Sequence, residues 1–287
     1  MTRTQTASGR WIDAAGPDPL EEALRDAEAA RPSAPPAAGP RSQERPGHAL
    51  LFGTGRTGSW TAFLLARFGV SLDILDRDVV EPHNLTAGNC LFGENDVGSF
   101  KAPAMQRILR RQAPGVPVRA MQTDVTALSE ADLRGLAEGA DVALGLVDEG
   151  EALLHLNRAL YAHVPVVYAA GHRGARTGDV VITRPGGACL QCLLDLDEAG
   201  QIHTLARETT HGIDILAIAE TCARVALVLL GDPRLGDLRE VLDPACNFIY
   251  LEYRRSPSNP GGFAPRFLRV RRRAACPICG AIERTES

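Results

Sequence analysis

Short apolar runs alternate along the chain with longer segments in which apolar residues recur every three or four positions. The runs predict buried strands at residues 49–52, 71–75, 116–121, 141–147 and 164–169. The periodic segments predict helices at residues 59–68, 102–112 and 151–163. Because strand and helix alternate, the sequence predicts an α/β fold, a Rossmann-like, doubly wound and mostly parallel sheet with helices on both faces.

The pattern changes beyond Gly178. Alternation of apolar and polar residues there predicts antiparallel C-terminal strands at residues 179–183, 248–253 and 267–270. The apolar segment 213–230 is interrupted by Asp214, Glu220 and Arg224, so it predicts a packed helix and not a membrane span.

The first 47 residues differ in composition from the rest. They hold a series of prolines that disfavours helices and central strands, at positions 32, 35, 36, 40 and 46. Residues 1–47 are therefore predicted to be a flexible segment, with helical apolar spacing at residues 20–30. Residues 48–287 are predicted to form one domain.

Composition narrows the class of protein. The 287 residues are 45% hydrophobic and 23% charged, as in an ordinary soluble globular protein. The formal net charge of -4 argues against a non-specific nucleic-acid surface. The N-terminus lacks a basic region followed by an apolar run, so we expect a cytoplasmic protein whose thiols stay reduced.

Four of the 7 cysteines form two Cys-x-x-Cys pairs, Cys189 with Cys192 and Cys276 with Cys279. Two pairs of identical spacing can surround one zinc ion tetrahedrally, and four thiolates leave no open position for substrate. The sequence therefore predicts a structural Zn²⁺ site. A redox pair or a disulfide framework is the alternative, which the odd cysteine number and the absent signal peptide disfavour.

A glycine-rich loop follows the first predicted strand. Gly53 suits a tight turn, Gly55 lets phosphate approach the backbone, and Gly58 lets helix and strand pack closely. Asp76 ends the next strand, where a carboxylate can hydrogen-bond ribose hydroxyls. The pattern predicts nucleotide binding at a helix N-terminus, and by itself it favours NAD. A tight turn without a ligand is the simpler alternative.

Further motifs follow in an order that a dehydrogenase does not require. They are Asp76-x-Asp78-x-Val80, Asn84-Leu85, Val97-Gly98-x-x-Lys101, Asp148 and the two cysteine pairs. Their order resembles the ThiF/MoeB/HesA family, the bacterial relatives of ubiquitin-activating enzymes, from about residue 48 to residue 279.

The resemblance implies that the chain binds ATP and Mg²⁺ and adenylates a C-terminal carboxylate with release of pyrophosphate. The implied partner is a small ubiquitin-like or sulfur-carrier protein or a peptide, and the implied assembly is a homodimer. Asp148 would hold Mg²⁺, Lys101 the phosphates, Asp76 the ribose, and Asn84 the nucleotide and phosphates. Each has a simpler reading: Lys101 as a solvated lysine, Asp148 as a helix cap and Asn84 as a turn residue.

The chain departs from the family pattern at one position of consequence. The family usually reads Asn-Leu-x-Arg-Gln, whereas residues 84–88 read Asn-Leu-Thr-Ala-Gly. Loss of one cation from a phosphate clamp can weaken transition-state stabilisation by about 3 kcal/mol. Arg56, inside the glycine loop, is the candidate replacement.

The remaining cysteines do not predict a thioester step. Some relatives carry a nucleophilic thiol after the first zinc pair, but no cysteine lies between Cys192 and Cys222. Cys222 falls in an apolar helical pattern typical of a core. Cys90 and Cys246 have no motif around them.

Two rival functions stay open at this point. One is an NAD(P)-dependent oxidoreductase on the same fold class, which would leave Lys101, Asp148 and the paired thiols without a shared purpose. The other is a non-catalytic nucleotide-binding relative that lost turnover together with the missing arginine.

Overall fold

The computed structural model describes residues 3–5, 11–13, 47–86, 89–173, 177–193, 212–242, 246–253, 262 and 264–280. Strands β1 (Arg3–Gln5) and β2 (Trp11–Asp13) pair antiparallel in a two-stranded sheet, which the sequence analysis did not anticipate. The helix predicted at residues 20–30 lies outside the described residues. The division at residue 47 stays a prediction.

The main sheet confirms the predicted architecture. Its strands are β3 (His48–Phe52), β4 (Ser71–Leu75), β5 (Val118–Met121), β6 (Val142–Gly145), β7 (Val166–Arg173), β8 (Thr177–Thr183), β9 (Phe248–Glu252) and β10 (Ala264–Leu268). Their order is β10-β9-β8-β7-β6-β3-β4-β5. Strands β7, β6, β3, β4 and β5 run parallel, whereas β8, β9 and β10 pair antiparallel with their neighbours.

Helices cover both faces of the parallel strands. The described residues form α1 (Arg56–Arg67), α2 (Lys101–Gln112), α3 (Glu130–Ala137), α4 (Gly150–Leu160), α5 (Leu190–Leu193), α6 (Gly212–Leu229) and α7 (Gly236–Val241). The predicted helices and α1, α2 and α4 differ only by a few residues at their ends. Pro103 is tolerated in the first turn of α2, where a missing N–H leaves no hydrogen bond unmade.

The core has two layers because neighbouring strand residues point to opposite faces. Leu51 packs with α1, α2 and α6 on one face, and Leu50 and Phe52 pack with α3 and α4 on the other. Cys222 is completely buried in the first layer, as its apolar pattern predicts. Within the described part of the chain, no helix combines the length and apolar character needed to cross a bilayer.

Candidate nucleotide and metal sites

The carboxyl ends of β4, β3 and β6 lie side by side and carry the predicted nucleotide residues. The backbone ties these ends together: Gly53 N donates to Leu75 O at 2.8 Å, and Leu146 N donates to Phe52 O at 2.8 Å. From β3 the chain first builds β4 and β5 on one side and later β6 and β7 on the other. In open α/β sheets, ligands bind at this reversal of strand order.

The three glycines of the loop meet three different steric demands. Gly53 has a φ of 89°, and a Cβ there would lie 2.8 Å from Leu146 O. A Cβ on Gly58 would lie 1.9 Å from Gly53 O, whereas a Cβ on Gly55 would meet nothing within 4 Å. Helix α1 begins at the next residue with no acidic residue in its first turn. The open space above Gly55 therefore faces free amides and the positive end of a helix.

Asp76 is buried and braces the loop. Its Oδ2 accepts hydrogen bonds from Thr54 N at 2.6 Å and from Thr54 Oγ1 at 2.8 Å. Its Oδ1 accepts one from Asp78 N at 2.8 Å. A carboxylate offers about four acceptor sites, so these bonds leave one, on Oδ1, for a ribose hydroxyl. Sequence reasoning missed Thr54, since nothing in the loop pattern specifies the residue between the first two glycines.

Lys101 is buried and does not behave as a solvated lysine. Its Nζ donates to Asp78 Oδ2 at 2.8 Å, and its backbone N donates to Asp78 O at 2.8 Å. Burial lowers the pKa of Lys101, but the hydrogen bond to Asp78 and the charges of Asp76 and Asp78 outweigh it and leave the pKa above its ordinary value. The ammonium is thus held, fully charged, beside the glycine loop.

Asn84 lies buried in a 3₁₀ turn (Pro82–Leu85), and the structure favours its turn role. Its Oδ1 accepts a hydrogen bond from Glu81 N at 2.9 Å, and its Nδ2 lies 3.0 Å from His83 Nε2. Its side-chain oxygen therefore already has a backbone donor.

Asp148 and Arg56 are both exposed on this edge. Asp148 is not the cap of the helix that follows it, because Glu149 is the N-cap of α4 and makes no side-chain cap bond. Arg56 is the first residue of α1. No described residue forms an ion pair with either side chain.

Cys90 is a neighbour of the glycine loop that sequence reasoning left without a role. Burial raises the pKa of Cys90 to about 11, although the nearby charges of Lys101 and Arg56 act in the opposite direction. The same thiol senses Asp76. Lys101 and Arg56 are therefore both close enough to Cys90 for their positive charges to act on its thiol.

The four paired cysteines converge into one buried cluster. Their Sγ atoms all lie within 4.8 Å of one another, with Cys189 and Cys276 at 3.5 Å and Cys192 and Cys279 at 3.3 Å. A disulfide needs about 2.05 Å, and all four thiols are free. Tetrahedral zinc with bonds of about 2.3 Å places its sulfurs about 3.8 Å apart, so the cluster fits a metal of that size.

The surroundings of the cluster fit the same interpretation. Arg273 N lies 3.4 Å from Cys192 Sγ, as a donor to a thiolate would. A Cβ on Gly280 would lie 2.5 Å from Cys276 O, so the tight turn after Cys279 requires glycine. Burial raises the pKa of Cys279, while a hydrogen bond from the Cys189 thiol lowers the pKa of Cys192. A divalent ion bound between the four sulfurs would favour the thiolate form of every one of them.

The model of the ThiF family matches residues 36–250, well over half of the chain. The chain belongs to the ThiF family. No curated protein sequence matched the chain significantly.

Solved structures similar to this ThiF-family chain share its fold at low sequence identity. E. coli MccB with ATP superposes with a TM-score of 0.62 at 20% identity, covering 82% of this chain and 67% of that one. The microcin C7 biosynthetic enzyme MccB in complex with N-formylated MccA gives a TM-score of 0.63 at 20% identity with the same coverage. PaaA gives 0.55 at 17% identity, covering 79% of this chain and 65% of that one.

One charged residue beside the candidate site was not indicated by the sequence. Arg77, which follows Asp76, lies 2.7 Å from Asp124 and also pairs with Glu149. Asp124 and Glu149 are distant in sequence and belong to no motif, so no local pattern could identify the cluster.

Proposed function

We propose that this ThiF-family chain binds ATP with Mg²⁺ and transfers AMP to a C-terminal carboxylate, releasing pyrophosphate. The observation that carries the proposal is the set of groups at the carboxyl end of β3. There open space above Gly55, a buried ammonium at Lys101 and a braced carboxylate at Asp76 face the same edge of the sheet.

Each residue has a task set by the charge it carries. The amides of the glycine loop bind the triphosphate with Lys101 and Arg56, whose cations stabilise charge that develops in the transition state. Asp76 accepts a hydrogen bond from the ribose. Asn84 has only its amide nitrogen to offer the phosphates. Asp148 would hold Mg²⁺, which when bound neutralises charge on the departing pyrophosphate.

The reaction is a substitution at the α-phosphorus of ATP. An oxygen of the acceptor carboxylate forms the new bond to phosphorus while the bond to the bridging oxygen of pyrophosphate breaks. The chain's own contribution is to hold the phosphates in line and to place cations beside the leaving group.

We propose a peptide, or the tail of a small ubiquitin-like or sulfur-carrier protein, as the acceptor. The peptide is supported by the likeness to MccB, whose structure includes N-formylated MccA. The small ubiquitin-like or sulfur-carrier protein is supported by membership of the ThiF family. Either acceptor presents the same chemical group, a C-terminal carboxylate.

We propose that the reaction ends at the adenylate and that no thioester forms on this chain. Cys222 is completely buried and burial raises its pKa, so its thiolate is inaccessible. Cys246 is also buried. The Cys90 thiol is neutral near pH 7, because its pKa is raised to about 11.

We propose that the buried cysteine cluster holds Zn²⁺ and joins the C-terminal segment to α5. Structural zinc can contribute about 10 kcal/mol to folding. A homodimer is proposed as well, and light scattering of the purified chain tests it.

The deciding experiment is ATP–pyrophosphate exchange with synthetic peptides and small carrier proteins, with mass spectrometry for an AMP adduct of the acceptor. Exchange that depends on the acceptor and disappears in Asp148→Ala supports the proposal. Binding of MgATP without exchange for any acceptor would favour a non-catalytic relative. Reduction of a nicotinamide cofactor with no ATP binding would favour the oxidoreductase.

A further inference from the structure

Arg77 joins three loops at the carboxyl edge of the sheet. Its Nη1 donates to Asp124 Oδ2 at 2.7 Å, its Nη2 donates to Glu149 Oε1, and its Nε lies 3.7 Å from Asp78 Oδ1. Arg77 follows β4, Asp124 follows β5 and Glu149 follows β6. The guanidinium therefore reaches loops on both sides of its own strand.

The pair of Arg77 and Glu149 joins loops that follow strands two positions apart in the sheet. In the sheet, β3 lies between β4 and β6. The pair of Arg77 and Glu149 therefore crosses the end of β3, where the glycine loop starts. Arg77 is 43% exposed, and ion pairs in such positions contribute little to stability. The pair therefore matters through the loops that it connects.

What it holds is the start of α4. Glu149 is the N-cap residue of α4, yet its side chain makes no cap bond. By contrast, Ser129 at the start of α3 accepts a hydrogen bond from Asp132 N at 3.1 Å. Within the described ranges, Arg77 is the hydrogen-bond partner of the Glu149 carboxylate. The Glu149 side chain is thus held by Arg77, which follows β4, while its backbone O accepts the first helical bond of α4, from Leu153 N at 3.1 Å.

Asp124, another partner of Arg77, is itself held in place by hydrogen bonds from Thr126. Asp124 Oδ1 accepts hydrogen bonds from Thr126 N at 2.9 Å and from Thr126 Oγ1 at 2.7 Å. The Thr126 hydroxyl is the main cause of the lowered pKa of Asp124, and the bond from Arg77 adds to it. Asp124 therefore stays ionised below neutral pH and keeps its hold on the guanidinium.

We propose that Arg77 is a positioning residue that acts through Glu149 to hold Asp148 over the glycine loop. This inference rests on the proposed role of Asp148 as the Mg²⁺ ligand. Arg77 and Glu149 support the metal ligand from behind without contacting nucleotide phosphate. Loss of a residue that supports a metal ligand typically weakens metal affinity by about 10-fold to 100-fold.

The test compares wild type with Arg77→Ala, Glu149→Gln and the double variant. Binding of a fluorescent ATP analogue is titrated with Mg²⁺, and AMP binding is measured without Mg²⁺. Hydrogen exchange of a peptide covering residues 146–153 reports the turn directly, whether or not nucleotide binds. Arg234→Ala is the control for loss of an exposed, ion-paired arginine, because Arg234 is exposed, pairs with Asp232 and is no part of the proposed site.

We expect the half-saturating Mg²⁺ concentration to rise about 10-fold in each single variant and no further in the double variant. AMP affinity and the melting temperature should stay near wild type, residues 146–153 should exchange faster, and Arg234→Ala should change nothing. Unchanged exchange of residues 146–153 in Arg77→Ala overturns the inference, as do additive single-variant effects or an equal loss of AMP binding. If wild type binds no MgATP, the proposed function fails while hydrogen exchange still decides the role of Arg77.

Discussion

Two alanine substitutions in the glycine loop should separate folding from nucleotide binding. A Cβ on Gly58 would lie 1.9 Å from Gly53 O, and real Cβ atoms essentially never come within 3.0 Å. Helix α1 and the loop would have to separate by the difference, and both contacting groups belong to backbone. Overpacking of this kind costs about 3 kcal/mol. At about 2–4 °C per kcal/mol for a chain of this size, Gly58→Ala should melt about 6–12 °C lower.

Gly55→Ala should behave in the opposite way. Nothing lies within 4 Å of its Cβ position, so its stability should change by about 1 kcal/mol or less. The new methyl group would occupy the space into which phosphate is proposed to come. Saturating ATP at 100 times its Kd stabilises a binding protein by about 2.7 kcal/mol, and this gain should disappear in Gly55→Ala.

The assay is thermal unfolding of both variants and wild type, with and without MgATP. The reasoning is refuted if Gly58→Ala melts with wild type. It is refuted equally if Gly55→Ala keeps the full ATP-dependent shift, because phosphate would then not approach the backbone at this position.

Three further predictions concern separate parts of the molecule. Lys101→Ala should lower ATP–pyrophosphate exchange by about 100-fold, and an exchange rate within a few fold of wild type would remove Lys101 from the site. Cys276→Ser should lose bound zinc and melt at a lower temperature, whereas Cys246→Ser should keep its metal. Atomic emission measures the zinc content and calorimetry the melting temperature. Equal zinc in both variants would contradict the assignment of the cluster. The pKa of Cys90 is raised from 9.0 to about 11 in the folded chain. The unfolded chain therefore loses the thiol proton at lower pH than the folded chain does. The contribution of the thiol to the free energy of unfolding is present below pH 9 and is lost as pH rises to about 11. Urea unfolding should therefore show wild type losing stability relative to Cys90→Ala across that interval, and parallel curves would contradict the burial of the thiol.

Several candidate site residues could be predicted from the sequence because their chemistry is local. The loop of Gly53, Gly55 and Gly58 is bounded by a strand and a helix in the sequence itself. The spacing of Cys189 and Cys192, repeated later in the chain, is likewise a local pattern. In both cases the signal lies within short segments of a few residues.

Other properties of the candidate site depend on which side-chain atoms are buried or already hydrogen-bonded. The spacing of residues in the sequence does not determine this. Asn84 matches a motif position, yet its oxygen accepts from Glu81 N in a turn. The sequence is equally compatible with a solvated Lys101, whereas the fold buries it against Asp78. The strands β1 and β2 have three residues each, too few for a periodic pattern to emerge.

The amino-acid sequence by itself determined the alternation of strands and helices, the glycine loop and the two cysteine pairs, because each is encoded within one contiguous segment. Only the tertiary structure decided that Arg77 meets Asp124 and Glu149 and that two thiol pairs 87 residues apart come together. Those meetings depend on the order of strands in the sheet, which is set by packing of the whole chain. A residue's neighbours along the chain carry no record of that order.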